Sequence, residues 1–227
     1  MKIRSATLGL FLVSLVITIS FLTGCGQNKS ADTSAPPDNN AVSEGSSPIN
    51  GAALTPAEAQ ETIGEQTTKV IEAIRDQDWK AIAAFVHPET GVRFSPYAHI
   101  DTAKDVVLKP DQLEKQFKDP AKLTWGTHDG SGEPIMLSFA QYAEKFIYPH
   151  DYAQAETTGY NQVIGKGNTL DNSREPGIYA DAIMVEYHFN GFDPKVDGMD
   201  WGSLRLFYQQ REGVWYLTGV VHDQWTI

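Results

Sequence analysis

The chain predicts an α+β domain in which N-terminal helices pack on a twisted antiparallel sheet, and three observations carry that expectation. Apolar residues recur at helical spacing between Thr55 and Val86, whereas the last third of the 227 residues is rich in β-branched and aromatic side chains. Turn chemistry separates the elements, most plainly at Asp129-Gly130-Ser131-Gly132 and Arg211-Glu212-Gly213. Helices first and strands last, on a stretch of one domain's length, give a layered α+β architecture.

Thr55-Pro56-Ala57-Glu58 combines a capping threonine, proline at the first helical position and a glutamate placed to cap back, so a helix starts there. Ile63, Val70, Ile71 and Ile74 carry its apolar stripe to about Arg75. Asp78 caps a shorter helix with Trp79, Ile82, Ala83 and Val86 inward, ended by His87-Pro88. Val92-Arg93-Phe94 follows as a short strand, and Pro110-Asp111 opens a third helix with Leu113 and Phe117 inward. Lys122 to Thr127 and Ile135 to Leu137 flank the glycine-rich turn as a hairpin. Ser138 caps a helix to about Phe146. Three strands close the chain, Ala182 to Phe189, Ser203 to Gln210 and Val214 to His222, the last two joined through Glu212-Gly213.

The first 25 residues are of another kind. Lys2 and Arg4 precede an almost wholly apolar run from Leu8 to Leu22, then Thr23-Gly24-Cys25, which is the order of a secretory signal peptide. Leu22-Thr23-Gly24-Cys25 resembles the lipobox of bacterial lipoproteins. That resemblance implies a signal peptide over residues 1–24, lipid on Cys25, and a cell-membrane location facing the extracytoplasmic side. Two other readings are an uncleaved membrane anchor and a chance cysteine after an ordinary signal peptide. Against the anchor, Ser14, Thr18 and Ser20 interrupt the run and no basic cluster follows it. Two or more acyl chains hold stably where one does not, since each buried CH₂ contributes about 0.8 kcal/mol.

Residues 25–51 then read as a tether: serine, proline and asparagine dominate, and no aromatic residue is present. As a flexible coil it reaches about 25–30 Å by square-root scaling. Residues 52–227 are expected to form one domain. Cys25 is the only cysteine, so lipidation leaves no thiol for a disulfide or a thiolate metal site. Loss of Lys2 and Arg4 with the signal takes the net charge from −11 to −13, which disfavours nucleic acid as a partner.

The helical pair passing into "HPETGVRFSPY", and the closing hairpin "SLRLFYQQREGVWYLTGVVHDQW", resemble the NTF2-like (cone-shaped, cystatin-related) superfamily. Segments "TWGTHDGSGEPI", "IGKGNT" and "EYHFNGFDPKVDGMDW" are similar to a family of uncharacterised bacterial lipoproteins, which implies no activity.

Strand alternation puts Glu186 and His188 on one face, with Ser203 and Arg205 sharing a face of the next strand. On the concave side of the sheet, Glu186, His188 and Arg205 would make a polar floor in an apolar cup, the usual chemistry of a small-molecule pocket. The structural alternative is a Glu186–Arg205 cross-strand ion pair beside a half-exposed His188. His222 and Asp223 are the remaining candidates, with His188 or Asp223 as a general base in the case of a hydrolase or isomerase. No metal spacing is present: His188, His222, Asp223 and Asp200 converge only if the 190–200 loop folds back, and Asp193, Asp197 and Asp200 do not match a calcium loop. Neither a cofactor nor a metal is expected. Trp125, Trp201 and Trp225 sit near loops or the terminus, and two of them at one opening would stack a sugar or peptide. The leading expectation is a domain that binds a small-molecule, glycan or envelope-protein ligand. An enzyme or a structural envelope protein are the alternatives.

Overall fold

The computed structural model describes residues 49–226, so the predicted signal peptide, Cys25 and the tether to residue 48 lie outside the described residues. Helix α1, Pro56–Arg75, begins with the predicted reciprocal cap between Thr55 and Glu58 and buries Ile63, Val70, Ile71 and Ile74. Asp78 caps α2, Trp79–Ala83. Then come β1 (Val92–Ser95), β2 (Val106–Leu108), α3 (Pro110–Lys118), the hairpin β3 (Leu123–Thr127) and β4 (Pro134–Leu137), and α4 (Phe139–Tyr142). The helix predicted to run from Ser138 as one α-helix instead widens into a π-helical turn over Ala143–Ile147, and the wider turn brings Ala143, Phe146 and Ile147 all to the core. Strands β5 (Thr157–Tyr160), β6 (Ile183–Phe189), β7 (Gly202–Arg211) and β8 (Val214–Gln224) complete the fold.

Six strands form one sheet in the order β2-β1-β8-β7-β6-β5, and β3-β4 stand apart. The wholly antiparallel sheet expected from the sequence is corrected here, because β1 runs parallel to β8 with Phe94 opposite Val220. The cause lies just upstream. Where α2 ends, Leu217 N–H donates to Phe85 O and His87 N–H to Leu217 O. The chain therefore leaves α2 already aligned with β8, and β1 continues that course.

Both faces of the sheet are covered. One packs against the helices through Ile183, Val185, Leu204, Leu206, Leu217 and Val220, with an aromatic centre in which Trp125 and Tyr142 stack at 4.0 Å. Trp125, expected near a loop, is fully buried there. The opposite face carries a smaller apolar cluster of Met184, Phe207, Val221, Ile100 and Tyr179. It is roofed by the connection from β5 to β6, residues 161–182. Tyr179 Oη donates to Thr218 O on β8 and Asn172 bonds Ile100 N and O, while Arg174 braces the roof internally through Tyr179 O and Ala182 O.

Ile49 to Gly51, assigned above to the tether, are hydrogen-bonded to the end of the sheet, and Gly51 opens a short 3-10 helix. Ile49 N–H donates to Gln210 Oε1 at 2.9 Å and Gly51 N–H to Asp181 O at 2.8 Å, so the chain enters where β6 begins and β7 ends. Among the described residues no helix is long and apolar enough to cross a membrane.

Candidate functional site

Glu186 on β6 stands directly opposite Arg205 on β7, and His188 opposite Ser203, which in turn faces Asp223 on β8. The structure thus brings Glu186, His188, Ser203, Arg205 and Asp223 together on one face. That face is the one beneath the 161–182 roof rather than the helix-covered one, so they do not floor an open cup. The Arg205 guanidinium donates at 2.8 Å to both Gly165 O and Asp223 Oδ2 and at 3.3 Å to Asp171 Oδ2. Its Nε lies 3.1 Å from Glu186 Oε2 without the alignment of a hydrogen bond. Glu186 also accepts from Ile164 N–H, Gly165 N–H and Ser203 Oγ. A side chain at position 165 would put its Cβ 2.5 Å from the Trp201 ring, so only glycine lets the roof come this close.

The Glu186–Arg205 ion pair of the structural alternative is present, but His188 is buried rather than half-exposed. Its Nδ1 lies 2.8 Å from Ser203 Oγ. Because that hydroxyl gives its proton to Glu186 at 2.6 Å, it can only accept from His188, which places the imidazole proton on Nδ1. Ser203 is therefore not a nucleophile with His188 as its base. Burial holds the His188 pKa below its ordinary value, with Glu186 opposing. Burial also pushes Asp223 up to about 7 against the pull of Arg205, which must balance Glu186 and Asp171 as well. None of these residues lines any of the larger clefts among the described residues.

His222, adjacent to Asp223, faces the other way. It packs edge-on against Phe146 and lines a cleft of about 410 Å³ where β7 begins and β8 ends. His150, Phe192, Met199, Asp200, Trp201, Gly202, Gln224 and Trp225 make up the rest of its wall. Phe192, Met199 and Trp225 are 45%, 50% and 38% exposed, three large apolar groups held in water around one opening. The rings of His150 and Phe192 stack at 3.8 Å. Burial pushes the His222 pKa down to about 4, opposed by Gln224, and lowers that of His150. Both imidazoles are thus neutral at pH 7. His222 Nδ1, Asp200 Oδ1 and the nearby Tyr152 hydroxyl are buried polar atoms without partners. Comparison with family models, curated proteins and solved structures finds no match to this chain.

Two of the three loop tryptophans, Trp201 and Trp225, therefore rim one opening. The sequence reading did not reach Phe192, Met199, Gln224 or Tyr152, and the only hint was the clustering of aromatics around the 190–200 loop. It also missed a second cavity of about 360 Å³ lined by Tyr97, His99, Asp101, Asp105, His128 and Asp129. There, burial raises Asp105 to about 6 although Ser95 Oγ donates to it. That cavity lacks an exposed apolar rim, whereas the first combines one with unpartnered polar atoms. Among the described residues no group of histidines and acids converges as metal ligands would.

Proposed function

We propose that this protein is a lipid-anchored extracytoplasmic lipoprotein, acylated on Cys25, whose NTF2-like domain binds a ligand in the cleft between Trp201, Phe192 and Trp225. The observation that carries the binding reading is the ring of half-exposed aromatic and methionine side chains around a cavity of ligand size. Helices over one face of a six-stranded sheet with a long closing hairpin support the NTF2-like reading. The order of charge, apolar run and Leu22-Thr23-Gly24-Cys25 supports the anchor.

A thermal-shift screen of the full chain against metals, sugars, peptides and peptidoglycan fragments tests the binding reading. A ligand at 100 times its dissociation constant stabilises by about 2.7 kcal/mol, or about 5–10 °C for a domain of this size. That shift is expected to vanish in Trp225→Ala. A shift of equal size in Trp225→Ala and Phe192→Ala would place binding elsewhere, and no shift from any probe would remove the reading. For the anchor, Cys25→Ser is expected to abolish the lipid mass on the chain and release it from membranes. Unchanged membrane retention in that variant, with no lipid mass on native Cys25, would refute the lipoprotein assignment.

A further inference from the structure

Resting on the cleft as the ligand site, we propose that its ligand is a neutral saccharide, presented as part of an extended glycan. Four features of the cleft lead to this class.

The first is charge. Lys and Arg are absent from the wall, His150 and His222 are neutral, and Asp200 is the one acid. A phosphate, sulfate or carboxylate entering here would lose its hydration and meet no cation.

The second is the mixture of surfaces. Trp201, Trp225 and Phe192 offer flat apolar faces, while Gln224, His150, His222 and Asp200 supply hydrogen-bonding groups. His222 Nε2 lies 3.2 Å from Gln224 Oε1, which makes Nε2 the donor and leaves Nδ1 an acceptor with no partner. The Asp200 carboxylate instead accepts from backbone amides of its own loop, Asp193 N–H among them, so the missing partner at His222 Nδ1 is a donor. A pyranose meets this pattern, with C–H faces to lie on aromatic rings and hydroxyls at its edge to donate.

The third is the floor. A Cβ at Gly202 would lie 3.1 Å from Tyr152 Oη and 3.7 Å from His150 Nε2. Glycine keeps that space clear beside two groups able to bind hydroxyls.

The fourth is position. The cleft opens where β7 begins and β8 ends; β7 has a strand on either side there and offers no free edge to an extended peptide, whereas β8 is paired with β1 only as far as Val221. The described chain meets the sheet at Ile49–Gly51, beside Gln210 at the far end of β7, eight residues or about 26 Å from Gly202 at 3.3 Å per residue.

Isothermal titration calorimetry of the full chain provides the test, with N-acetylglucosamine oligomers and neutral glucose oligomers as probes and glucose 6-phosphate and an acidic peptide as comparators. Saturable binding of at least one neutral oligomer is expected, at least tenfold tighter than either comparator. Trp225→Ala and Gln224→Ala should each weaken it at least tenfold while far-ultraviolet circular dichroism stays unchanged. A comparator that binds more tightly and is lost in Trp225→Ala overturns the saccharide class but keeps the cleft. Oligomer binding that survives both Trp225→Ala and Phe192→Ala overturns the cleft itself. No heat from any oligomer at millimolar concentration overturns the saccharide assignment, leaving the cleft to the thermal-shift screen.

Discussion

Replacing Arg205 by methionine is expected to destabilise the domain by about 3–5 kcal/mol, the cost of removing one partner from a buried ionic group. Arg205 is 1% exposed and serves Glu186, Asp223 and Asp171 together. Methionine fills much of the same volume but leaves these carboxylates without their cation. It also removes the donor to Gly165 O, one of the bonds that seat the 161–182 roof. The expected drop in melting temperature is about 6–20 °C, at 2–4 °C per kcal/mol. The loss should shrink in acid, because carboxylates freed from the guanidinium take up protons rather than stay charged in the interior. Urea unfolding at pH 8 and pH 5 measures both effects. A loss below about 1 kcal/mol at pH 8 would mean that water reaches the cluster and the pairs are worth no more than exposed ones.

The pairing of Glu186 with Arg205 was legible in the sequence because strand period is two and both neighbours in the closing meander are antiparallel. Which face the pair occupies was not. Alternation separates two faces, but choosing between them requires knowing what covers each. The 161–182 roof has no apolar periodicity: it is seated by Tyr179 stacking on Phe207 and by scattered polar bonds of Asn172, Gly165 and Arg174, so it leaves no trace in the sequence pattern. The helices were legible from their caps and stripes. The parallel course of β1 beside β8 was not, because more than a hundred residues separate them and no turn sets their direction. Short β2 and β5 were not read, whereas β4, no longer than β5, was legible from the glycine-rich turn that precedes it. The cleft draws on three separate segments, around His150, around Phe192–Gly202 and around His222–Trp225. Their convergence is a property of tertiary packing, and in the sequence they are three unrelated loop signals.

Asp223→Asn isolates the titration of the buried cluster. With a native pKa near 7 and an ordinary carboxylate pKa when unfolded, Asp223 binds a proton in the folded state across the interval between them. The folded chain then holds more protons than the unfolded one, so stability falls as pH rises through that window. The contribution is fully present below about pH 4 and gone above about pH 8. Other groups overlay it. His222, lowered to about 4, loses stability as pH falls below its ordinary value, the opposite sign, and Asp105, raised to about 6, has the same sign as Asp223. These terms are common to the native chain and the variant, so the difference between the two isolates Asp223. An asparagine side-chain oxygen still accepts from Arg205, which keeps the variant close to native geometry. Between pH 5 and pH 8.5 the native protein is expected to lose about 2–3 kcal/mol relative to Asp223→Asn, whose amide does not titrate. Paired denaturation curves at half-unit pH intervals measure that difference. A difference constant with pH would mean that Arg205 holds Asp223 ionised throughout, and that the excess proton of the cluster resides on another carboxylate.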